Sequence, residues 1–183
     1  VPHPAEKDEE ILHGISAGAN TNFRQKKRGD GMDAAMFDCP MEWVRLLPPG
    51  VCPIRRDREL TEHIWPLLAL TPEGCQALAE NQADDGKIAC RLLLAPGELQ
   101  ALPPRLQAET VISYGLSPRD SLTLSSLRSP VLCVQRALPR PDGHIIDAQE
   151  FPLSPLPGPA EVLLPLLGLR LLQMPLTEPP FLW

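Results

Sequence analysis

A chain of 183 residues has room for one domain with its own core, and its formal charge of −6 sets it apart from general nucleic-acid binders, which carry a basic field. Hydrophobic residues make up 43%, leucine foremost, and the 23 prolines predict short elements, because proline fixes φ and donates no hydrogen bond. No run reaches the roughly 18 apolar residues of a membrane span, and the N-terminus lacks a signal-peptide core; the expectation is a soluble, cytoplasmic protein that binds neither membrane nor nucleic acid.

Residues 1–31 differ from the rest. A charged stretch (His3 to Glu10), a small polar one (Gly14 to Asn22) and the basic Arg24-Gln25-Lys26-Lys27-Arg28 show no sustained apolar period. Such a segment cannot bury enough to offset its ordering entropy, so a disordered or dispensable arm is expected, with Met32 as the more natural start. Residues 32–183 then form a single domain.

Between Met32 and Val51 a short helix or strand ends at Pro48-Pro49-Gly50, and Val51 to Ile54 reads as extended. Asp57 is expected to cap a helix through Leu60, Ile64 and Trp65 that Pro66 kinks or ends. Thr71, with Pro72 at the first helical position, starts a second helix running to about Asn81. Lys87 to Leu94 has the length and make-up of a buried strand. Pro96-Gly97 closes it, and Glu98 to Ala101 is expected to form one helical turn. The strand at Thr110 to Tyr114 should lie parallel to it.

From about 110 to 153, short β-branched and aliphatic runs separated by Gly, Pro and Asp predict an antiparallel meander. Asp142-Gly143 is its strongest turn signal, read as a two-residue hairpin turn pairing Val131 to Leu138 with His144 to Phe151. Gly143 is therefore expected at positive φ, and Gly97 in a looser loop. Pro159 to Leu164 starts a helix that Pro165 interrupts, Gly168 to Met174 reads as a last strand, and Thr177 to Trp183 is a proline-rich end. The fold class is α/β (or α+β): a small mixed sheet with the meander, packed by short helices.

The chemistry is sparse. No phosphate-gripping glycine loop, nucleophile elbow or zinc-binding H-E-x-x-H occurs, and the four histidines share no metal-ligand spacing. His63 and His144 read as surface residues. The five cysteines form no C-x-x-C pair and read as reduced thiols. Arg55, Arg56 and Arg58, beside a helix start, are the best polar cluster and suit a phosphate or carboxylate; the competing expectation is a solvated turn paired with Asp57 and Glu59. Cys52, next to that charge, is the one candidate for a reactive thiol.

Three stretches carry a family resemblance. They are Leu92-Leu93-Leu94-Ala95-Pro96-Gly97, then Val111-Ile112-Ser113-Tyr114-Gly115-Leu116-Ser117, then Phe151-Pro152-Leu153 with Leu156-Pro157-Gly158. Their order over Leu92 to Leu172 resembles the distal part of the central domain of the Mur ligases, the ATP-dependent peptidoglycan amide ligases. Where that family has an acidic Asn-Ala-Asp-Asp run this chain has Ala95-Pro96-Gly97, and where it has a His-Asn pair this chain has Pro159-Ala160. Neither the family's ATP binding nor its ligase activity therefore carries over. What the resemblance implies is a reduced, non-catalytic relative.

The function expected is a binding or accessory module without enzymatic activity, metal or cofactor, whose partner is another protein or a small anionic ligand. The alternative is a Mur-ligase-like relative that still binds a nucleotide or cell-wall precursor. A thiol-dependent enzyme using Cys52 is the third class.

Overall fold

A computed structural model describes residues 33–81, 86–99 and 101–175. Along them run β1 (Ala34–Phe37), a 3-10 helix (Met41–Leu46), β2 (Val51–Ile54), α1 (Asp57–Leu60), β3 (Ile64–Leu70) and α2 (Pro72–Glu80). There follow β4 (Ile88–Pro96), β5 (Leu106–Tyr114), β6 (Leu122–Leu124), β7 (Val131–Val134), β8 (Leu138–Pro139), β9 (Ile145–Ile146), β10 (Gln149–Pro152) and α3 (Ala160–Gln173). The expected arm at 1–31 and the end from Thr177 to Trp183 lie outside the described residues.

Eight strands form one sheet in the order β10-β7-β6-β5-β4-β3-β1-β2, so the fold is α/β with a mixed sheet. Strands β1 to β6 pair parallel, and β7 and β10 antiparallel. The meander is thus antiparallel only from β6 onward. Between β5 and β6 the pairing is parallel and limited to Tyr114 opposite Leu122, so β6 begins where β5 ends. The antiparallel part therefore projects past the carboxyl ends of the parallel strands.

Leucine-rich strands buried on both faces explain the parallel centre. One face meets α3 and the 3-10 helix: Met36, Leu67, Leu94, Ile112, Leu122 and Leu132 pack with Trp43 and the leucines of α3. The other face meets α1 and α2 through Phe37, Leu68, Leu93, Leu60 and Leu78. No helix among the described residues is long and apolar enough to cross a membrane.

Three expectations about prolines and turns are corrected. The helix from Asp57 stops at Leu60, and Ile64 to Leu70 is strand, because Trp65, Leu67 and Leu68 are buried between two cores that only a strand can serve. Pro66 is accommodated as the position left unpaired between the pairs Trp65–Cys90 and Leu67–Leu92, in unchanged register and just before β1 begins opposite Leu67. Arg91 and Glu109 drop out at the same level, so the pleat changes phase across three strands: Trp65 and Leu68 reach the same core from positions of opposite parity.

Pro165 does not interrupt the last helix, and the strand read at Gly168 to Met174 is its second half. An interior proline costs about 3 kcal/mol. Seven buried leucines along α3 outweigh that cost. Gly168 lets the helix sit low on the sheet, since a Cβ there would meet Leu122 Cδ1 at 2.9 Å and Leu94 Cδ2 at 3.0 Å.

The Asp142-Gly143 signal marks a real hairpin, but with three loop residues. Gly143 N–H donates to Arg140 O at 3.1 Å, Arg140 N–H donates to His144 O at 2.9 Å, and Gly143 has φ +89°. Pro141 supplies the first turn position and Gly143 the left-handed one. Leu138 pairs with Ile146 and Val134 with Gln149, so the two arms are those expected, with an irregular break between them. Gly97 and Glu98 form a turn, with no helix in the described part of the next segment.

Both outer strands carry a proline on the open side. Ala34 and Asp38 N–H donate to Gly50 and Ile54 O, so the even residues of β2 face β1 and Pro53 faces outward. Leu153 N–H donates to Pro130 O, which by antiparallel alternation turns Pro152 of β10 outward as well.

Candidate functional site

The parallel strands follow the order 2-1-3-4-5-6. The connection leaving β1 goes to one side and those after it run to the other, so the order reverses between β1 and β3. In open α/β sheets, ligands bind outside the carboxyl ends of the strands at such a reversal. Here that edge carries Asp38, Cys39 and Pro40 after β1, Arg55 after β2, and Thr71 with the start of α2 after β3.

The α2 terminus closes itself. Pro72 has no N–H, Gly74 N–H donates to Thr71 Oγ1 at 2.9 Å, and Cys75 N–H donates to Thr71 O at 2.9 Å. Gly74 also presses against Phe37: a Cβ would lie 3.1 Å from the Phe37 carbonyl oxygen and ring. Asp38, in a left-handed conformation at φ 54°, and Glu42 and Glu73 make this part of the edge acidic. Burial pushes the Cys39 thiol up to about 11, against the pull of Arg55 and reinforced by Glu42 and Asp38. It is a neutral thiol at neutral pH, poorly suited to nucleophilic attack.

Of the sequence-derived cluster, Arg55 follows β2 at this edge, and Arg56 and Arg58 lie on the chain that leads from it through α1 to the start of β3. Arg56 is extended and α1 makes a single turn, anchored by buried Leu60 and closed by Thr61 Oγ1 donating to Arg58 O at 2.7 Å. Asp57 is no side-chain cap at the N-cap position, which Arg56 occupies; its Oδ1 accepts Arg58 N–H at 2.8 Å. Nor does it neutralise the neighbouring arginines. Its Oδ2 accepts from Asn81 Nδ2 at 2.5 Å and from Arg105 Nη2, whose side chain is only 10% exposed. Partial burial pushes the Asp57 carboxyl up, but the bonds from Arg105, Arg58 N–H and Asn81 prevail and hold it below its ordinary value. Arg55, Arg56 and Arg58 are exposed, and none forms an ion pair or side-chain hydrogen bond with a described residue.

A second polar knot sits at the ends of β4 and β5. Asp120, 4% exposed, lies against the backbones of Gly97 and Gly115 and accepts Ser117 N–H at 3.1 Å. Ser121 N–H donates to Ser113 Oγ at 3.0 Å, and Tyr114 OH donates to Leu70 O at 2.8 Å. These bonds fix the loop into β6 and brace the strand ends.

Sequence reasoning found the arginines and missed Arg105, Asn81 and Asp120. The only signal for Asp120 was a glycine directly after each of two strands, where a close approach needs room. Arg105 and Asn81 are 48 and 24 residues from Asp57, and nothing in the sequence joins them.

The remaining candidates stand apart. Cys52 is half-buried on outer strand β2, opposite Ala35. His63 lies in the turn before β3 with its ring edge-on to Trp65, centroids 5.4 Å apart, and exposed His144 pairs Nδ1 with Asp142 at 3.3 Å. No group of described His, Cys, Asp or Glu residues is placed to hold a metal. An open groove of about 550 Å³ at the α3 N-terminus is lined by Leu127, Val131, Leu153 and Leu156, with Glu161 at its rim. Compared with known protein families, curated proteins and solved structures, the chain has no match.

Proposed function

We propose that the chain is a binding module whose arginine turn, Arg55 to Arg58, takes a small anionic ligand. The observation that carries this is the engagement of Asp57 by Arg105 and Asn81, which leaves three exposed guanidinium groups without an ion pair among the described residues, on a chain of net charge −6. Guanidinium forks match phosphate and carboxylate oxygens two at a time. Arg55 follows β2 directly at its carboxyl end, beside the reversal of strand order, where ligands of open α/β sheets bind. A non-catalytic role is supported by buried thiols held protonated, Cys39 at about 11 and Cys75 and Cys90 at about 12. Five unpaired cysteines support a reducing, cytoplasmic setting.

A second reading, a reduced Mur-ligase-like relative, is favoured by where the matching stretches fall. They end β4 and β5 and lead from β10 into α3. The ligand is then a nucleotide or cell-wall precursor.

Thermal melting with pyrophosphate, Mg-ATP and a UDP-sugar tests both. At a hundredfold excess over Kd a ligand stabilises by about 2.7 kcal/mol, roughly 5–10 °C for a chain of this size. The first reading expects a pyrophosphate shift that Arg55→Ala/Arg56→Ala/Arg58→Ala removes. A Mg-ATP or UDP-sugar shift that survives the triple substitution supports the second. No shift with any of them refutes both and leaves a protein partner.

A further inference from the structure

We infer that Arg105 is the positioning residue of the arginine turn: it takes the Asp57 oxygen that Arg58 N–H leaves free, so that Arg55, Arg56 and Arg58 form no ion pair with Asp57 and present a charge fitted to a diphosphate rather than to a single phosphate. The inference rests on the proposed anion site and adds both its ligand class and the group that sets its strength.

Three positive charges within four residues have one acid between them as their nearest counter-charge. Asp57 is that acid. One oxygen is held by Arg58 N–H, and the other takes both Asn81 Nδ2 and Arg105 Nη2. Arg105 reaches Asp57 from the residue before β5, across the face that α2 covers, and Asn81 from the residue after α2. The turn is therefore tied to two distant elements by the one side chain that would otherwise cancel its charge. Glu59, the other carboxylate within α1, forms no ion pair with the three arginines.

An arginine fork engages two oxygens of one phosphate. Arg56 is in extended backbone and Arg58 is in the helical turn, and three forks at two oxygens each call for about six oxygens. A ligand with two linked phosphates offers enough oxygens for more than one fork. A single phosphate, with four oxygens, cannot serve all three forks two at a time, and it carries less charge.

The test is calorimetric titration of the full chain with inorganic pyrophosphate and, separately, inorganic phosphate, at two salt concentrations. Wild type is expected to bind pyrophosphate at least tenfold more tightly than phosphate, with affinity falling as salt rises. Arg105→Gln releases Asp57 into the turn and weakens pyrophosphate about three- to tenfold, the effect of one added counter-charge a few ångströms away. Asp57→Asn/Arg105→Gln restores wild-type affinity, because the released group carries no charge; a merely structural role for Arg105 would give no recovery. Asp57→Asn alone, which keeps an oxygen for Arg58 N–H, leaves affinity unchanged or higher. This variant decides the matter if Arg105→Gln fails to fold. Lower affinity in Asp57→Asn, or no recovery in a folded double variant, overturns the inference while leaving the anion site standing. Equal affinity for phosphate and pyrophosphate overturns the ligand class. No binding of either anion by wild type removes the site itself, and the inference with it.

Discussion

Valine at Gly97 and valine at Gly143 should destabilise the protein by different amounts for different reasons. At Gly143 the cost is conformational: φ is +89°, and a Cβ would meet nothing within 4 Å. A side chain there is expected to cost about 1–2 kcal/mol. At Gly97 the cost is a collision. A Cβ would coincide with Asp120 Oδ1 and lie 2.5 Å from its Cγ. The carboxylate must leave a site where it is 4% exposed and give up Ser117 N–H. A charge-assisted bond is worth about 1.5–3 kcal/mol, and overpacking costs about 1–3 kcal/mol, so Gly97→Val should lose about 3–5 kcal/mol. This reverses the order expected from the sequence, where Gly143 was the constrained glycine and Gly97 the loose one. Urea midpoints measured side by side decide it. A second experiment isolates the cause: in an Asp120→Ala background Gly97→Ala should cost little, giving a coupling energy of about 2 kcal/mol. A Gly143 loss equal to or above that at Gly97, or additive effects at Gly97 and Asp120, would refute the collision.

Three further outcomes are expected. Trp65→Ala should cost about 3–5 kcal/mol in urea unfolding, because Trp65 is buried and its Nε1 donates to Leu60 O at 3.1 Å, fastening α1. Asp57 has a folded pKa held below its ordinary 3.8, so its contribution is present above pH 3.8 and is lost as pH falls through the lower folded value; the stability of Asp57→Asn should fall less steeply below about pH 4 than wild type. Alkylation of the native protein at pH 8, read by mass spectrometry, should reach half-buried Cys52 first, since burial pushes Cys39 to about 11 and Cys75 and Cys90 to about 12.

What the sequence disclosed was local. Thr71-Pro72 carries its helix start in two adjacent residues, and α2 begins there with the Thr71 side chain accepting Gly74 N–H. Lys87 to Leu94 has the composition of a doubly buried strand, and β4 is one. Asp142-Gly143 marks its hairpin, although Pro141 lengthens the turn by one residue. The failures share a cause: proline and glycine were read as breaks where tertiary burial overrode them. Pro66 sits in a strand because its neighbours fill two cores, and Pro165 and Gly168 sit in a helix because the sheet accepts that helix closely. The arginine cluster was legible because its members are adjacent. The side chains that give it its charge balance, Arg105 and Asn81, come from elements whose proximity only the strand order creates.

The outward-facing prolines at Pro53 and Pro152 bear on how the protein behaves in a crowd. A bare strand at either end of an eight-stranded sheet is a template on which another chain can continue the ladder, and that is the usual first step toward fibrils. Each proline deletes the one outward N–H that a four-residue strand can least spare. Among the described residues no helix covers either end of the sheet, and the prolines limit it there by chemistry. A chain rich in leucine can thus keep a β-sheet with open outer strands dispersed, and the prolines that work against strand formation keep each sheet to itself.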